Sequence, residues 1–418
     1  MKNTQIHIVG GGIIGLCTAF YLKKEGWEVT VFDKGDLSDG TSFGNAGMIV
    51  PSHFVPMATP EIITKGLKWL LNNKSPFYIK PRLNAALIQW LWHFYHSATP
   101  KKVNQAMPLL YALNEKSKEL YREIAQEEAM DFGYEEKGLL MLYKTAKQAK
   151  AEEQLARQAG KLGIRAELYD QKGLNTLEPN LELNVLGGVY FPGDAHLSPN
   201  QLMKQLLRYL QKQGVQFKTA ISIIDFKVKG SKIEALLDER GNVYPVEKLI
   251  LTAGSWTGHL LKKVGLNLHL QDGKGYSITT ENTTQTLKIP TILTEAKVAL
   301  TPMGDGLRIG GTLELSGWSN RINRKRVQGI VESIPKYYNN LPITFDESTN
   351  IWKGYRPCSP DGLPYIGRAA EFSNLFVGTG HGMMGLSLGA VTGKILSELL
   401  MDQKPMMDIA PFGIDRFK

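Results

Sequence analysis

Three glycines near the N-terminus and one acidic residue further along have the spacing that nucleotide binding requires. Gly10, Gly12 and Gly15 follow an apolar run and open a helical pattern, and a second apolar run ends at Asp33. The first glycine permits a tight turn, the second lets backbone N–H groups approach a pyrophosphate, and the third allows close packing of helix on sheet. A phosphate is favoured at a helix N-terminus, and Asp33 can bind ribose hydroxyls. The motif has its required context on both sides. It predicts a dinucleotide-binding βαβ unit and leaves NAD and FAD both open.

Four further segments carry small residues, hydroxyl groups and an arginine that could surround a flat ligand. Residues 41–47 (TSFGNAG) can run close to such a ligand and donate hydrogen bonds to phosphate oxygens. Residues 252–256 (TAGSW) end a buried strand with small side chains. Residues 352–367 contain the pattern RPxxPDGxPxIG, and residues 378–385 (GTGHGMMG) precede an apolar helix. Amides at the start of that helix can stabilise negative charge on a flavin ring.

Together these segments resemble those of the D-amino-acid oxidase superfamily of FAD enzymes, and most closely those of bacterial D-amino acid dehydrogenases. The resemblance runs essentially end to end and includes residues 274–277 (KGYS) and 307–311 (LRIGG). It implies non-covalent FAD, with the ADP half on the βαβ unit and the flavin ring between two domains. Relatives with covalent flavin use a cysteine before a Pro-Asp pair. The matching position here falls near Gly354, and Cys358 is offset from it. We therefore expect no covalent link and an unreactive Cys358 thiol in a loop.

The resemblance also indicates which residues hold the cofactor. Ile223 is expected to contact FAD through its backbone, as in relatives, and the backbone of His381 is expected to matter more than its imidazole. No metal site is predicted. The expected cofactor-binding residues are Gly10, Gly12, Ile13, Ile14, Gly15, Asp33, Lys34, Thr41, Ser42, Asn45, Ala46, Gly47, Met48, Ile223, Ala253, Gly254, Trp256, Gly380, His381, Gly382, Met383, Met384 and Gly385.

Arg356, Tyr276 and His53 are the candidate catalytic residues. A guanidinium such as that of Arg356 matches a carboxylate with two parallel hydrogen bonds. In similar amine oxidases an arginine of this Arg-Pro segment anchors the substrate carboxylate; the alternative is a structural arginine bound to loop carbonyls. Tyr276 either closes over the carboxylate or the amine, or is a core or rim tyrosine. His53 stands where the dehydrogenases carry a tyrosine, so it either touches substrate or is a surface histidine. Arg308 could be only a sheet residue that faces solvent.

The activity implied by the resemblance is oxidative deamination of D-amino acids to 2-oxo acids and ammonia. A hydride would pass from the substrate Cα to flavin N5, and water would convert the imino acid to the products. The flavin carries the difficult step, so the protein has to supply orientation and electrostatics. The electrons would pass to a quinone or another carrier. Three alternatives stay open: a D-proline or hydroxy-D-proline dehydrogenase, an oxygen-using oxidase of the glycine or sarcosine type, and an FAD-binding subunit of a larger dehydrogenase.

The elements that must position these residues alternate along the chain, which predicts an interrupted nucleotide-binding domain rather than two consecutive domains. The expected fold class is α/β, or α+β overall. A Rossmann-like FAD-binding domain is interleaved with a substrate domain of antiparallel sheet and helices. The predicted FAD-binding domain comprises residues 1–55, 195–262 and 352–418, and the predicted substrate domain comprises residues 56–194 and 263–351.

Local patterns predict individual elements. Gly26 should end the first helix, and Ser198 should cap a later one with Pro199 at its first position. Residues 57–127 are expected to be mostly helical. The other expected elements are helices over 13–26, 145–162 and 198–212, strands at 138–143, 187–192, 214–217 and 248–254, a hairpin over 232–246, and an antiparallel sheet over 274–315.

Composition bounds the class of protein. The 418 residues are 43% hydrophobic and 21% charged, as is usual for folded globular proteins. The longest apolar run, 85–95, is well short of the roughly 20 residues that span a bilayer. No secretory signal fits, so we expect a cytoplasmic protein. Cys17, in the first helix, and Cys358 are the only cysteines, which argues against a disulfide framework or a metal cluster.

The formal net charge is +9, with a short basic cluster at 321–326. This indicates either a solvated basic surface or attraction to anionic substrates or an acidic membrane. No motif supports nucleic-acid binding. Trp69, Trp90 and Trp92 are explained by core packing or, alternatively, by docking of a partner or a membrane. The second reading would place the protein in peripheral contact with the inner face of the cytoplasmic membrane, where it could meet a quinone.

Overall fold

The computed structural model describes residues 2–62, 77–80, 82, 84–128, 130–281, 286–304 and 306–418. The strands among them are β1 (Lys2–Val9), β2 (Trp27–Phe32), β3 (Met48–Ile49), β4 (Phe77–Ile79), β5 (Leu139–Tyr143), β6 (Glu167–Asp170), β7 (Gly187–Phe191), β8 (Ala195–His196), β9 (Gln216–Lys218), β10 (Ile223–Lys229), β11 (Lys232–Asp238), β12 (Val243–Pro245), β13 (Lys248–Leu251), β14 (Gln271–Thr280), β15 (Thr291–Leu293), β16 (Val298–Met303), β17 (Gly306–Leu315), β18 (Trp352–Cys358), β19 (Tyr365–Arg368) and β20 (Leu375–Thr379). The helices are α1 (Ile13–Lys24), α2 (Ala85–Ser97), α3 (Pro100–Ala125), α4 (Ala146–Lys161), α5 (Gln171–Leu177), α6 (Pro199–Lys212), α7 (Thr257–Lys263), α8 (Arg324–Val331) and α9 (Gly389–Leu400).

One sheet is built from three separate stretches of the chain, in the order β19-β20-β13-β1-β2-β9. β19 runs antiparallel to β20, and the other neighbours are parallel. Parallel neighbours need crossover connections, and α1 supplies the one between β1 and β2. Ten of the 12 residues of α1 are buried, because β2, α6 and α9 all pack against it. This is a Rossmann-like sheet with its central strand at the N-terminus of the chain.

The second large sheet has the order β18-β14-β17-β16-β15-β5-β7-β6, with β4 beside β17. Its neighbours are antiparallel except for the pairs β15–β5 and β17–β4. An apolar core that includes Ile309, Ile330 of α8 and Tyr338 lies against this sheet. The two sheets together confirm the predicted α/β fold class.

β18 differs from the predicted domain division. We expected residues 352–418 to belong with the nucleotide-binding sheet, but β18 is paired along its whole length with β14 of the second sheet. The first sheet resumes only at β19. Apolar content does not distinguish the edge of one sheet from the edge of the other, so the sequence pattern could not assign this strand. The remaining domain boundaries stay a prediction.

Most local predictions are confirmed. α1 ends just before Gly26, which has φ +76°. α6 begins at Pro199, and the Ser198 hydroxyl accepts a hydrogen bond from the backbone N–H of Gln201. The predicted hairpin is β11–β12. In the predicted helical region α2 and α3 are present, with Pro108 inside α3; residues 63–76 of that region lie outside the described residues.

The tryptophans of this region differ from one another. Trp90 is buried, and its indole N–H donates to the carbonyl of Cys358 at 2.9 Å. Trp92 is 58% exposed on α2. Trp69 lies outside the described residues. Core packing therefore explains Trp90 but not Trp92.

The basic cluster at 321–326 is not wholly a solvated surface. Arg326 is 3% exposed, and its Nε lies 2.8 Å from a carboxylate oxygen of Glu314, with Lys274 on the other side of that carboxylate at 3.6 Å. Within the described ranges we find no group of His, Cys, Asp and Glu that could hold a metal ion. The helices described there are too short or too polar to cross a membrane.

Candidate active site

A cavity of about 1950 Å³ is bounded by residues of both large sheets. The carboxyl ends of β1, β2 and β13 form one part of its wall, and β14, β17 and β18 form another. In open parallel sheets, ligands bind at the carboxyl ends of the strands. The location therefore fits a nucleotide at one end of the cavity and a reacting group at the other.

The turn after β1 has no room for a side chain. Gly10 has φ +109°, and a Cβ there would lie 2.5 Å from the carbonyl oxygen of Thr252. At Gly12 the nearest atom to such a Cβ would be Ser42 Oγ at 3.5 Å, so the wall is open at that point. No side chain caps α1 at Gly12, and the N–H of Ile13 donates to Ser42 Oγ at 3.0 Å. A helix N-terminus opening on a cavity attracts a phosphate.

Asp33 braces this turn from the end of β2. One carboxylate oxygen accepts the N–H of Gly11 at 2.7 Å, and the other accepts the N–H of Gly35 at 2.8 Å. Each carboxylate oxygen can accept more than one hydrogen bond. Asp33 can therefore hold the glycine turn and still bind ribose hydroxyls.

The loop after β2 is held by side chains of the second sheet. Arg308 Nη1 donates to the carbonyls of Phe43 and Asn45 at 3.0 and 3.1 Å. Ser277 Oγ donates to the carbonyl of Gly44 at 2.9 Å. Three successive carbonyls are thus bound on the sheet side. Arg308 is 4% exposed, and burial lowers the pKa of its guanidinium to about 10. The expectation that Arg308 faces solvent is wrong.

Twenty of the expected cofactor-binding residues border the cavity. Gly15, Gly47 and Gly380 do not, because each serves packing or a turn instead. A Cβ at Gly15 would lie 2.0 Å from the carbonyl oxygen of Gly10, and Gly47 and Gly380 have φ values of +78° and +80°. The residues on the wall are Gly10, Gly12, Ile13, Ile14, Asp33, Lys34, Thr41, Ser42, Asn45, Ala46, Met48, Ile223, Ala253, Gly254, Trp256, His381, Gly382, Met383, Met384 and Gly385.

The segment after β20 forms a single 3-10 turn, Gly382–Met384, before the apolar helix α9. The imidazole of His381 is buried, and its Nε2 lies 2.9 Å from Thr392 Oγ1. Burial lowers the pKa of His381 to about 3, so the ring is neutral at physiological pH. The imidazole is engaged with α9, which leaves the backbone of this segment to face the cavity.

Arg356 lies on β18 and borders the cavity. Its Nη1 donates to the carbonyl of Thr312 at 2.7 Å. The guanidinium lies over Gly275, where a Cβ would be only 2.2 Å from Nη1. Among the described residues no carboxylate pairs with it, and burial lowers the pKa of the guanidinium. The cation therefore has unused donors inside a cavity.

Tyr276 lies on β14 and is among the residues that border the cavity. Its side chain is 0% exposed and belongs to the apolar core of the second sheet. Its hydroxyl accepts the N–H of Asn323 at 3.2 Å, and burial raises the pKa of the phenol to about 12. Successive side chains of a strand point to opposite faces. Ser277, the next residue of β14, also borders the cavity, and its side chain holds the loop at Gly44.

His53 is not a surface histidine. The ring is partly buried and borders the cavity, and its Nδ1 lies 3.3 Å from Ser52 Oγ. Burial, with a smaller effect of Lys297, lowers the pKa of His53 to about 4. The imidazole is thus neutral at physiological pH and can accept a hydrogen bond from a ligand.

Cys358 is on a strand rather than in a loop. It is 1% exposed, and burial raises the pKa of its thiol to about 12. A thiol that stays protonated is a poor nucleophile. This agrees with the expectation that Cys358 is unreactive.

A family model described as FAD dependent oxidoreductase (DAO) matches residues 5–399. The chain belongs to this family. A D-amino acid dehydrogenase of Granulibacter bethesdensis is 31% identical to this DAO-family chain over 99% of both proteins. A D-amino acid dehydrogenase of Helicobacter pylori is 30% identical over 95% of both. The matched family makes this chain an FAD-dependent oxidoreductase.

Solved structures of the DAO fold resemble the chain over its full length. Glycine oxidase from Geobacillus kaustophilus gives a TM-score of 0.78 at 23% identity and covers 100% of both chains. L-proline dehydrogenase from P. horikoshii gives 0.75 at 18% identity, covering 99% of this chain and 97% of that one. At these identities the likeness supports the fold.

The residues of the DAO-family cavity fit FAD. The open wall at Gly12 lies at the N-terminus of α1, where Gly12 itself provides no side-chain cap and the end of a helix offers backbone N–H groups to a pyrophosphate. Arg308 and Ser277 hold the neighbouring loop at Phe43, Gly44 and Asn45 through its carbonyls. The cavity volume suits a dinucleotide with space left for a small substrate. Non-covalent binding is consistent with Cys358, the buried thiol of the RPxxPDG segment.

Proposed function

We propose that this FAD-dependent oxidoreductase oxidises D-amino acids to 2-oxo acids and ammonia, and that Arg356 anchors the substrate carboxylate. One observation carries the proposal. A guanidinium borders the cavity, and the described residues offer it no carboxylate partner. The names of the full-length relatives favour D-amino acids over other carboxylates.

The hydrogen bonds of Arg356 leave room for a bidentate ligand. A guanidinium has five N–H donors in a planar fork, and the bond to Thr312 uses one of them. Burial of an unpaired charge is costly, so a carboxylate bound here would relieve that cost. The proposal therefore predicts that neutral analogues bind much more weakly than amino acids.

The chemistry that FAD supplies when bound is two-electron oxidation of the Cα–N bond. The turn at Gly10, the carboxylate of Asp33 and the loop over 43–45 would hold the cofactor. Arg356 would fix the carboxylate, which restricts the substrate to orientations that present one face of Cα. The apolar wall, which includes Met57, Met107 and Leu313, would exclude water during oxidation. Water then converts the released imino acid to the 2-oxo acid and ammonia.

We also propose that a quinone or another carrier, rather than oxygen, accepts the electrons. The relatives' names support this, since they are called dehydrogenases. Measurement of hydrogen peroxide against reduction of a quinone-like dye tests it. Stoichiometric peroxide would favour an oxygen-using oxidase instead.

The decisive experiment is anaerobic bleaching of the holoenzyme's flavin by D-amino acids, glycine, sarcosine and D-proline. Arg356→Ala should lose about 10²-fold in kcat/KM or more, since removing a charged hydrogen-bond partner costs about 1.5–3 kcal/mol and misplaces the substrate. Arg368→Ala is the matched control. Arg368 is exposed, pairs with Asp402 and lies off the cavity.

Full activity of Arg356→Ala would overturn the anchoring role. A holoenzyme bleached by sarcosine or D-proline but by no primary D-amino acid would replace the proposed substrate class. If no amine bleaches the flavin, the result would favour the alternative that this protein is an FAD-binding subunit of a larger dehydrogenase.

Peripheral contact with an anionic membrane is a further part of the proposal. Ile88, Trp92 and Tyr95 are 56%, 58% and 62% exposed, and their spacing puts them on one face of α2. Exposed lysines Lys101 and Lys102 follow at the start of α3. Apolar and aromatic side chains beside basic groups suit the surface of an acidic bilayer.

Sedimentation with anionic and neutral vesicles tests this contact. The holoenzyme should bind anionic vesicles at low salt, and Trp92→Ser should weaken binding. Leu168→Ser is the control, because Leu168 is similarly exposed, at 54%, on a strand of the second sheet. Equal binding of the two variants, or none by the wild type, would refute the proposal.

A further inference from the structure

A chain of hydrogen bonds leads from a buried carboxylate to the cavity. Ser52 Oγ donates to Asp194 Oδ2 at 2.5 Å, and the Ser52 N–H donates to Asp194 Oδ1 at 3.1 Å. On its other side Ser52 Oγ lies 3.3 Å from Nδ1 of His53. Asp194 and Ser52 are 1% and 3% exposed, whereas His53 borders the cavity. The three side chains thus connect the cavity with a carboxylate that solvent does not reach.

While Asp194 is ionised, the hydrogen bonds determine the tautomer of the imidazole. A hydroxyl has one hydrogen, and an ionised Asp194 can only accept, so the hydrogen of Ser52 then points to Asp194 Oδ2. Ser52 Oγ can therefore only accept from His53, which places the ring proton on Nδ1. Nε2 then carries a lone pair, and it has no hydrogen-bond partner among the described residues. A neutral histidine held in this tautomer is ready to take a proton from a ligand in the cavity.

We propose that His53, Ser52 and Asp194 form a relay that removes a proton from the substrate's ammonium group before oxidation. This rests on the proposed function, because the amine must be neutral for the Cα–N bond to be oxidised. An N–H bond of the ammonium breaks as Nε2–H forms on His53. Nδ1–H passes to Ser52 Oγ, and the Ser52 proton passes to Asp194 Oδ2. The net change is an ammonium and a carboxylate converted to an amine and a carboxylic acid.

The surroundings suit Asp194 as the final acceptor. Burial raises the pKa of its carboxyl to about 7, although the hydrogen bonds from Ser52 oppose this shift. Lys118, which donates to the carbonyl of Gly193, lowers the pKa slightly, and Glu115 raises it. Asp194 is therefore close to the balance at which it can both accept and release a proton near neutral pH.

His53 is suited to transfer the proton rather than to keep it. Burial and the charge of Lys297 lower the pKa of the imidazole to about 4, so the protonated ring is a minor species at neutral pH. Within this relay His53 is the catalytic residue, since it borders the space of the substrate. Ser52 and Asp194 act through it as positioning residues.

The pH dependence of anaerobic flavin bleaching by D-alanine separates this relay from a structural link. In Ser52→Ala and Asp194→Asn holoenzymes the rate near neutral pH should fall by about 10²-fold, a usual contribution of general base catalysis. The deficit should close as the pH rises above the pKa of the substrate ammonium, because the amine then arrives neutral. Ser52→Thr keeps a hydroxyl and should restore most of the rate at neutral pH.

Ser387→Ala is the matched control. Ser387 is also buried and holds the same segment, accepting the Val50 N–H at 3.1 Å and donating to Asn114 at 2.7 Å, but it is not connected to His53. This variant should keep the wild-type pH dependence whatever its rate. If Asp194→Asn fails to bind FAD, the comparison of Ser52→Ala with Ser52→Thr decides.

The two proposals fail in different ways. A wild-type holoenzyme that no D-amino acid bleaches would refute the proposed function. A wild type that is bleached, with Ser52→Ala keeping its pH dependence, would refute the relay and leave the proposed function standing.

Discussion

Gly275 offers a test of the Arg356 site that leaves the arginine itself in place. Because the guanidinium of Arg356 lies over Gly275, the Cβ of Gly275→Ala would be 2.2 Å from Nη1 and 2.4 Å from Cζ. Ordinary van der Waals contact begins at 3.4 Å, so the guanidinium must move by about 1 Å. A shift of this size can cost about 10²-fold in rate, or about 2.7 kcal/mol of transition-state stabilisation. The φ of Gly275 is not positive, so alanine adds no backbone strain there.

The assay is kcat/KM for D-alanine and for D-alanine amide, which lacks the carboxylate. Gly275→Ala should lose about 10²-fold with the acid and little with the amide. It should also add little to Arg356→Ala in the double variant, because both changes remove one interaction. Gly367→Ala is the control, since a Cβ at this strand glycine meets nothing within 4 Å. Equal losses with acid and amide, or additive effects with Arg356→Ala, would refute the reasoning.

Two further predictions concern the cofactor loop and acid stability. Arg308→Met should weaken FAD binding by about tenfold, because it removes two hydrogen bonds to loop carbonyls worth about 0.5–1.5 kcal/mol each. Fluorescence titration with FAD measures the affinity, and the exposed Arg368→Met is the control. An affinity of Arg308→Met equal to that of the control would contradict the prediction. Burial lowers the pKa of His381 to about 3 in the folded protein. In the unfolded chain the same imidazole binds a proton as the pH falls below about 6.5, whereas in the folded protein it stays neutral until the pH is much lower. The free energy of unfolding should therefore fall on acidification, and urea titrations at about pH 7.5 and pH 5 should give a smaller fall for His381→Asn than for the wild type.

The parts that could be predicted from the sequence are those that neighbouring residues determine. The turn at Gly10, the acid at Asp33 and the cap at Ser198 depend on short stretches of chain whose chemistry is visible in the sequence. The same holds for the position of Arg356 in the RPxxPDG segment. The fold class could also be predicted, because strand patterns and helix patterns alternate along the sequence.

The parts that failed depend on contacts between distant residues. Arg308 binds the loop at Phe43, which is far away in the sequence. The sequence around Arg308 shows only a charged residue in a strand, and such a residue is expected to face solvent. For Tyr276 the sequence left a substrate contact and a core position both open, because a shift of one residue exchanges the two faces of a strand. Its side chain belongs to the apolar core of the second sheet. Gly275 is approached closely by the guanidinium of Arg356, and a glycine within the strand was the sequence signal for that contact. Asp194 could not be found, because nothing local links it to Ser52.

The interleaving of the two sheets also governs how the chain reaches its native state. β1 is complete as soon as residue 9 is synthesised, yet one of its edges stays without its strand partner until β13, which begins at Lys248, has been synthesised. The apolar surface of α1 is buried later still, because α9, which packs against it, lies near the end of the chain. Pairings between such distant residues slow folding, and they leave aggregation-prone apolar surfaces and unpaired strand edges exposed while the chain is on the ribosome. The nascent protein should therefore depend on chaperones until its last helix has emerged.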